Sequence, residues 1–369
     1  MGLMRLAIAI AGLSLVAGGG TPQPFHRVQP DATAVVAAST AHAATVTANG
    51  PGGQPETHTT TTAIAESGPV TTTTLQVRDG QTVGVAMPIT VEFDEEIPPE
   101  ARPEIQKRLS VETNPPQPGV WSWDPTGSQV WYRAPDYWKP GTTITVRSSL
   151  AGVPLGNGTV GDADRSATVT VGNKVFMYVA NKAKHMQVYI NDQLVRVLPV
   201  SLGKPSTPSS SGFMVVMSKE PQATFDTRGS ADPYVIDVQW AMRLTRGGEY
   251  IHSAPWSVGA QGRYNVSHGC TNLSPTNAKW LFDQAHIGDP IIVRDTEDAL
   301  DQGNGWTAWN LPWSEYVKGS ALPVPPELAN APSVDPVTGM PPVPTTTVTT
   351  PAPSQPPATS GLDAVRPTD

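Results

Sequence analysis

One cysteine in 369 residues is the first scarcity, and it excludes a disulfide framework, because a single thiol has no partner within the chain. Basic clusters are missing too. With 24 Lys and Arg against 32 Asp and Glu, the net charge of -8 argues against nucleic acid or an anionic membrane surface as partner. Long apolar runs are absent: the nearest, residues 6–17, follows Arg5 and is apolar or small apart from Ser14. That length and flank predict a signal peptide or N-terminal anchor over residues 1–20, so membrane contact would run only through this segment if it stays uncleaved. No cysteine follows it, which excludes a lipoprotein anchor. The chain is therefore expected to be exported to the cell envelope.

Aromatic residues are nearly absent from two stretches. Phe25 is the only one between residues 21 and 74, a segment rich in Ala, Thr, Gly and Pro, and residues 322–369 hold 13 prolines and no aromatic side chain. Neither can bury enough apolar surface to offset its ordering entropy, so both are expected to be disordered arms, the second partly polyproline II. Between them, residues 75–172 show short alternating runs at 83–85, 89–93, 130–132, 143–146 and 167–171, with a short helix within 100–109. Period-two runs at this spacing predict an immunoglobulin-like β-sandwich, with Trp121, Trp123, Trp131 and Trp138 as its buried packing. Residues 173–321 are again strand-rich, so the fold class is mainly β with one or two short helices. Asn191-Asp192 suits a two-residue hairpin turn. One helix stands out after Ser274 as its cap and Pro275 as its first residue, with Ala278, Leu281, Phe282 and Ala285 on one face.

The solitary Cys270 lies in Ser267-His268-Gly269-Cys270-Thr271-Asn272, eighteen residues after His252. Exported proteins use cysteines in pairs, so a single retained thiol points to chemistry. A thiol becomes a nucleophile near neutral pH when an imidazole raises its thiolate fraction. His252, at a strand end, is the favoured base, since His268 is confined by the same turn as Cys270. Gly269 keeps side-chain bulk away, so neighbouring amides can converge on an oxyanion. A zinc site of His252, His268 and Cys270 is the rival chemistry, but its spacing is no familiar zinc pattern, and neither metal nor other cofactor is expected.

His252 followed by the Ser-His-Gly-Cys-Thr-Asn block resembles the motif of L,D-transpeptidases with the YkuD-type catalytic domain. The longer runs 252–262 and 137–142 resemble the mycobacterial branch. The resemblance spans roughly residues 75–318 and implies a cysteine acyltransferase acting on peptidoglycan stem peptides. In such enzymes the sulfur attacks the amide between a diamino acid and D-Ala of a tetrapeptide stem, and a side-chain amine of another stem resolves the thioester into a 3→3 crosslink. Carried over, Cys270 is the nucleophile, His252 the base and later acid, and the Ser253 carbonyl the orienter of its ring. The amides of His268, Gly269 and Cys270 form the oxyanion hole, while Ser267, Asn272 and Trp256 shape the substrate path. Residues 220–234 become a mobile lid bearing Phe225 and Tyr234. Trp306, Trp309 and Trp313 mark a C-terminal subdomain packed on both domains. Carbapenem-type β-lactams are the implied covalent inhibitors. Hydrolysis of the same thioester, as an L,D-carboxypeptidase, and non-catalytic wall binding are the alternatives.

Overall fold

The computed structural model describes residues 68–229 and 233–333. The expected signal segment and most of both arms lie outside them. Among the described residues no helix is long and apolar enough to cross a membrane.

The first domain holds β1 (Val70–Thr71), β2 (Thr73–Leu75), β3 (Thr82–Val83), β4 (Ile89–Phe93), α1 (Arg102–Gln106), β5 (Leu109–Asn114), β6 (Val120–Trp123), β7 (Gln129–Arg133), β8 (Thr143–Ser149), β9 (Val160–Gly161) and β10 (Asp164–Val171). Two four-stranded sheets, ordered β3-β10-β8-β5 and β2-β4-β7-β6, enclose the sandwich core, with β1 and β9 paired beside them. Alternation does the sorting: Ile144, Val146, Val169 and Val171 point inward while intervening threonines face out. The four tryptophans of this domain are all buried, as packing requires, and the Trp138 indole donates to Met87 O at 2.7 Å.

Two expected boundaries move. Residues 70–74, assigned by composition to the first arm, form β1 and the start of β2. Threonine is a good strand residue, and the buried Thr73 hydroxyl bonds Asp162 at 2.9 Å and Arg165 at 2.8 Å, pairings that no local pattern reveals. Residues 322–333 of the second arm also pack on the fold. They carry α4 (Pro326–Ala329), and Leu328 O accepts the Trp313 indole N–H at 2.9 Å.

The second domain contains β11 (Val175–Ala180), β12 (His185–Ile190), β13 (Gln193–Pro199), β14 (Ser210–Val215), β15 (Ser218–Asp226), β16 (Val235–Arg243), β17 (Tyr250–Ser253), β18 (Thr271–Leu273), α2 (Pro275–Gln284), β19 (Pro290–Arg294), β20 (Asp298–Ala299) and α3 (Trp313–Tyr316). A six-stranded sheet, β13-β12-β11-β19-β14-β20, meets a four-stranded one, β15-β16-β17-β18. Asn191 and Asp192 both take positive φ, 49° and 67°, as a tight I′-type hairpin turn needs. Successive residues of the six-stranded sheet serve opposite faces. Met177, Met214, Ile291 and Val293 join Leu281 of α2 and Ile251 of β17 in one core. Phe176, Phe213, Val215 and Ile292 join the first domain's core together with Trp306, Trp309 and Tyr316.

Arg133 fastens that shared core. Its guanidinium, 1% exposed, donates to Ala308 O at 3.1 Å, Ala134 O at 3.4 Å and Leu311 O at 2.9 Å. It stacks 4.3 Å from the Trp309 and Tyr316 ring centres. Burial pushes its pKa down to about 10, which still leaves it charged at neutral pH. Arg133→Ala should cost about 3 kcal/mol in denaturant unfolding, since it strips carbonyls of their donor and rings of their cation. A loss below about 1 kcal/mol would show that aromatic packing alone holds the C-terminal segment.

The segment expected as a lid forms a paired hairpin rather than a loop. Residues 218–226 of β15 face 235–243 of β16, with Pro221 passing opposite Trp240, where regular pairing skips. Thr227 N donates to Tyr234 O at 2.9 Å just beyond the strands. Small polar residues and a proline look like a loop in isolation. The alternation of Gln222, Thr224 and Asp226 with Ala223 and Phe225 becomes a strand once β16 supplies its partners.

Candidate functional site

The site is built where β17 runs parallel to β18, in the register Ile251↔Thr271, His252↔Asn272 and Ser253↔Leu273. Paired residues of parallel strands share a face, so His252 and Asn272 lie on one side, with Tyr250 two residues before His252 on the same side, and Cys270 immediately precedes β18. Ile251, on the other, fills the core.

His252 is 4% exposed, and its Nδ1 lies 2.9 Å from the Ser253 carbonyl oxygen. A carbonyl only accepts, so Nδ1 carries the proton and Nε2 offers its lone pair. Phe225 meets the ring edge-on at 5.3 Å and Trp256 lies 6.0 Å away. Burial lowers the His252 pKa, opposed in part by the Ser253 bond, so the ring rests neutral at neutral pH.

Cys270 is 5% exposed, and its sulfur approaches Gly248 O at 3.8 Å. Burial, reinforced by the charge of Glu249 and opposed by the Tyr250 backbone, pushes the thiol up to about 12. The resting pair is therefore thiol and imidazole rather than thiolate and imidazolium. Phe225 of the β15–β16 hairpin lies 4.6 Å from the neighbouring Tyr250 ring, tilted 40° to it.

The loop before β18 is braced from within. Gly269 has φ 115°, in the left-handed region that favours glycine. Its amide, expected to face an oxyanion, donates instead to Ser267 Oγ at 3.2 Å, and that hydroxyl donates to Cys270 O at 2.6 Å. Ser267 is thus a buried brace, not a substrate-facing residue. A hydroxyl with both a donor and an acceptor within its own turn satisfies the loop more cheaply than a substrate would. The exposed His268 sits beside Lys204, whose Nζ lies 2.9 Å from Nε2, and its ring is 4.9 Å from Tyr234. Asn272 is buried as well: its Nδ2 donates to Ser257 Oγ at 3.1 Å, tying β18 to the turn that carries Trp256. Trp256 itself is 55% exposed. Among the described residues no group of three or more His, Cys, Asp or Glu side chains is placed to hold a metal ion.

Sequence reasoning overlooked four neighbours. Tyr250 could have been found, since it stands two residues before His252 on a strand. Glu249, largely buried and hydrogen-bonded to Ser210 Oγ at 2.6 Å, has its pKa raised by burial, and its charge helps raise the thiol. Lys204 and Ser209 arrive from 64 and 60 positions before their partners, where nothing local marks them; Ser209 Oγ donates to Gly269 O at 2.6 Å. A cleft of about 490 Å³ opens between the hairpin and Trp256, lined by Thr224, Asp237, Gln239, Ser253 and Pro275.

Residues 29–154 match the model of a bacterial Ig domain, and residues 176–293 that of the L,D-transpeptidase catalytic domain. L,D-transpeptidase 2 of Mycobacterium tuberculosis is 37% identical over 250 residues, covering 66% of this chain and 60% of that protein. L,D-transpeptidase 5 of the same organism is 35% identical over 259 residues, 68% of this chain and 56% of that one. The chain thus spans less than two thirds of the length of these two relatives. L,D-transpeptidase 1 is 37% identical over 224 residues, and 81% of its length is covered. A solved LD transpeptidase in complex with imipenem is 33% identical with a TM-score of 0.50, over 61% of this chain and 99% of that one.

Proposed function

The chain belongs to the L,D-transpeptidases of the YkuD type, and on that premise we propose that it forms 3→3 crosslinks between peptidoglycan stem peptides in the cell envelope. What supports the reading is the parallel pairing of β17 with β18, which brings the strand of His252, its ring pinned through Nδ1, alongside the loop that carries Cys270.

In this scheme the hairpin lifts and a tetrapeptide stem enters. His252 Nε2 takes the Cys270 proton as the sulfur attacks the carbonyl between the diamino acid and D-Ala. The tetrahedral oxyanion is met by main-chain amides of His268 and Cys270, and the Gly269 amide joins only when the Ser267 hydroxyl turns away. The C–N bond then breaks, His252 returns the proton to the departing D-Ala amine, and a thioester remains. A side-chain amine of a second stem attacks that carbonyl and yields its proton to His252. The sulfur leaves and is reprotonated. The Ser253 carbonyl keeps the imidazole in one tautomer throughout, a task that falls to a carboxylate in Ser-His-Asp triads. Phe225 and Tyr234 close over the acylated stem, Trp256 flanks its path, and Asn272 holds the turn that presents Trp256. The same sulfur would open a carbapenem β-lactam ring and stay acylated.

Incubating the purified chain with tetrapeptide stems, alone and with an acceptor stem, tests this by mass spectrometry. A crosslinked dimer with release of D-Ala is the expected product. Tripeptide alone in both reactions would make the enzyme an L,D-carboxypeptidase, and no product in either would leave a wall-binding protein.

A further inference from the structure

A second cleft, about 480 Å³, lies beyond the first and shares Pro275 with it. Its walls are Trp240 and Trp280, and Thr276, Lys279 and Asp283 stand around them. The two indoles are placed with unusual care. Trp240 has φ 57°, a conformation side chains rarely adopt, at the bulge where β16–β17 pairing shifts between Gln239 and Met242. That bulge leaves its ring against Phe282 at 5.4 Å while Ala241 and Met242 go inward. Trp280 is braced by the Arg196 guanidinium, 4.0 Å from the ring centre and outside the cleft lining. Lys279 lies 4.9 Å from the Trp240 ring and pairs with Asp283 at 2.7 Å. The tryptophans of the first domain are spent on core packing, whereas these two, partly buried, keep surface in an open cleft.

Aromatic faces ringed by hydroxyl, ammonium and carboxylate groups match a ligand with apolar C–H faces and a hydrogen-bonding rim, as a pyranose ring has. Continuity decides the occupant. Pro275 joins this cleft to the one lined by Ser253 and Trp256 beside His252, and a stem peptide is covalently attached to a sugar strand. Resting on the transpeptidase reading, we propose that the Trp240–Trp280 cleft binds the glycan strand that carries the stem and so delivers the peptide toward Cys270.

The test compares two substrates, a free tetrapeptide and the same tetrapeptide linked to its disaccharide. It uses the wild-type full chain and two variants, Trp280→Ala and Thr276→Trp. The second fills the cleft from an exposed helix position without removing packing, so it guards against misfolding of the first. Both variants should lower kcat/KM on the glycan-linked stem by about tenfold, the scale of one lost aromatic stacking contact. Turnover of the free tetrapeptide and the rate of carbapenem acylation should stay at wild-type values. Saturable tryptophan fluorescence quenching by a peptide-free tetramer of β-1,4-linked N-acetylglucosamine should appear in the wild type and vanish in both variants. Equal loss on both substrates, loss on neither, or no saturable quenching in the wild type would overturn the assignment. A wild type inactive on both substrates would instead remove the transpeptidase reading, while the tetramer titration still decides whether the cleft takes sugar.

Discussion

Replacing Cys270 by alanine is expected to abolish dimer, tripeptide and carbapenem adduct together, because each begins with the same sulfur attacking a carbonyl carbon. Intact-protein mass spectrometry reads this directly: the wild type should gain the mass of the β-lactam and the variant none. The fold should survive. The sulfur's hydrogen bond to Gly248 O, at 3.8 Å, is weak, and the loop is braced by Ser267 and Ser209 rather than by the thiol. Removing one buried sulfur atom costs about 1 kcal/mol, within reach of a thermal-unfolding control. A variant that unfolds cooperatively and still acquires a full adduct would disprove the nucleophile assignment.

His252→Ala is expected to slow acylation by about 10²-fold or more, the usual worth of a positioned general base. Its pH profile carries more information than the rate. Burial lowers the His252 pKa, so the neutral base survives below the ordinary imidazole range, and wild-type acylation should fall only as the pH drops through that depressed value. At the other end the thiol is held up to about 12, so ionisation of free sulfur adds little anywhere near neutrality. The wild-type rate should therefore be level from neutral pH into the alkaline range. Without the imidazole the reaction depends on the small thiolate fraction, and the rate should climb about tenfold per pH unit toward the thiol pKa. Stopped-flow carbapenem acylation distinguishes the two shapes. A variant with a level profile and a wild-type rate would remove His252 from proton transfer.

How much of this was legible in the chain follows from how local each determinant is. Period-two runs, the Asn191-Asp192 turn and the Ser274 cap are satisfied within a few residues, so their patterns predict the elements that form; Ser274 Oγ does accept the Asn277 amide, at 3.4 Å. The strand at residues 218–226 was hidden because its stability comes from β16, across the hairpin, β1 because it pairs with the distant β9, and β2 because Thr73 depends on Asp162 and Arg165. At the site, the Ser253 carbonyl was readable, being one residue from His252. The engagement of the Gly269 amide was not. Only side-chain placement reveals that Ser267 takes that donor, or that burial, reinforced by Glu249, raises the thiol that the motif alone casts as a ready thiolate.

The burial of the sulfur has an effect on lifetime as well as on turnover. Peroxides and small-molecule disulfides react with exposed, ionised sulfur. Buried beside the Tyr250 backbone, protonated and 5% exposed, Cys270 offers them little access or charge. On the transpeptidase reading, the sulfur that each cycle regenerates is kept reduced between substrates by the same burial that the lifting hairpin relieves.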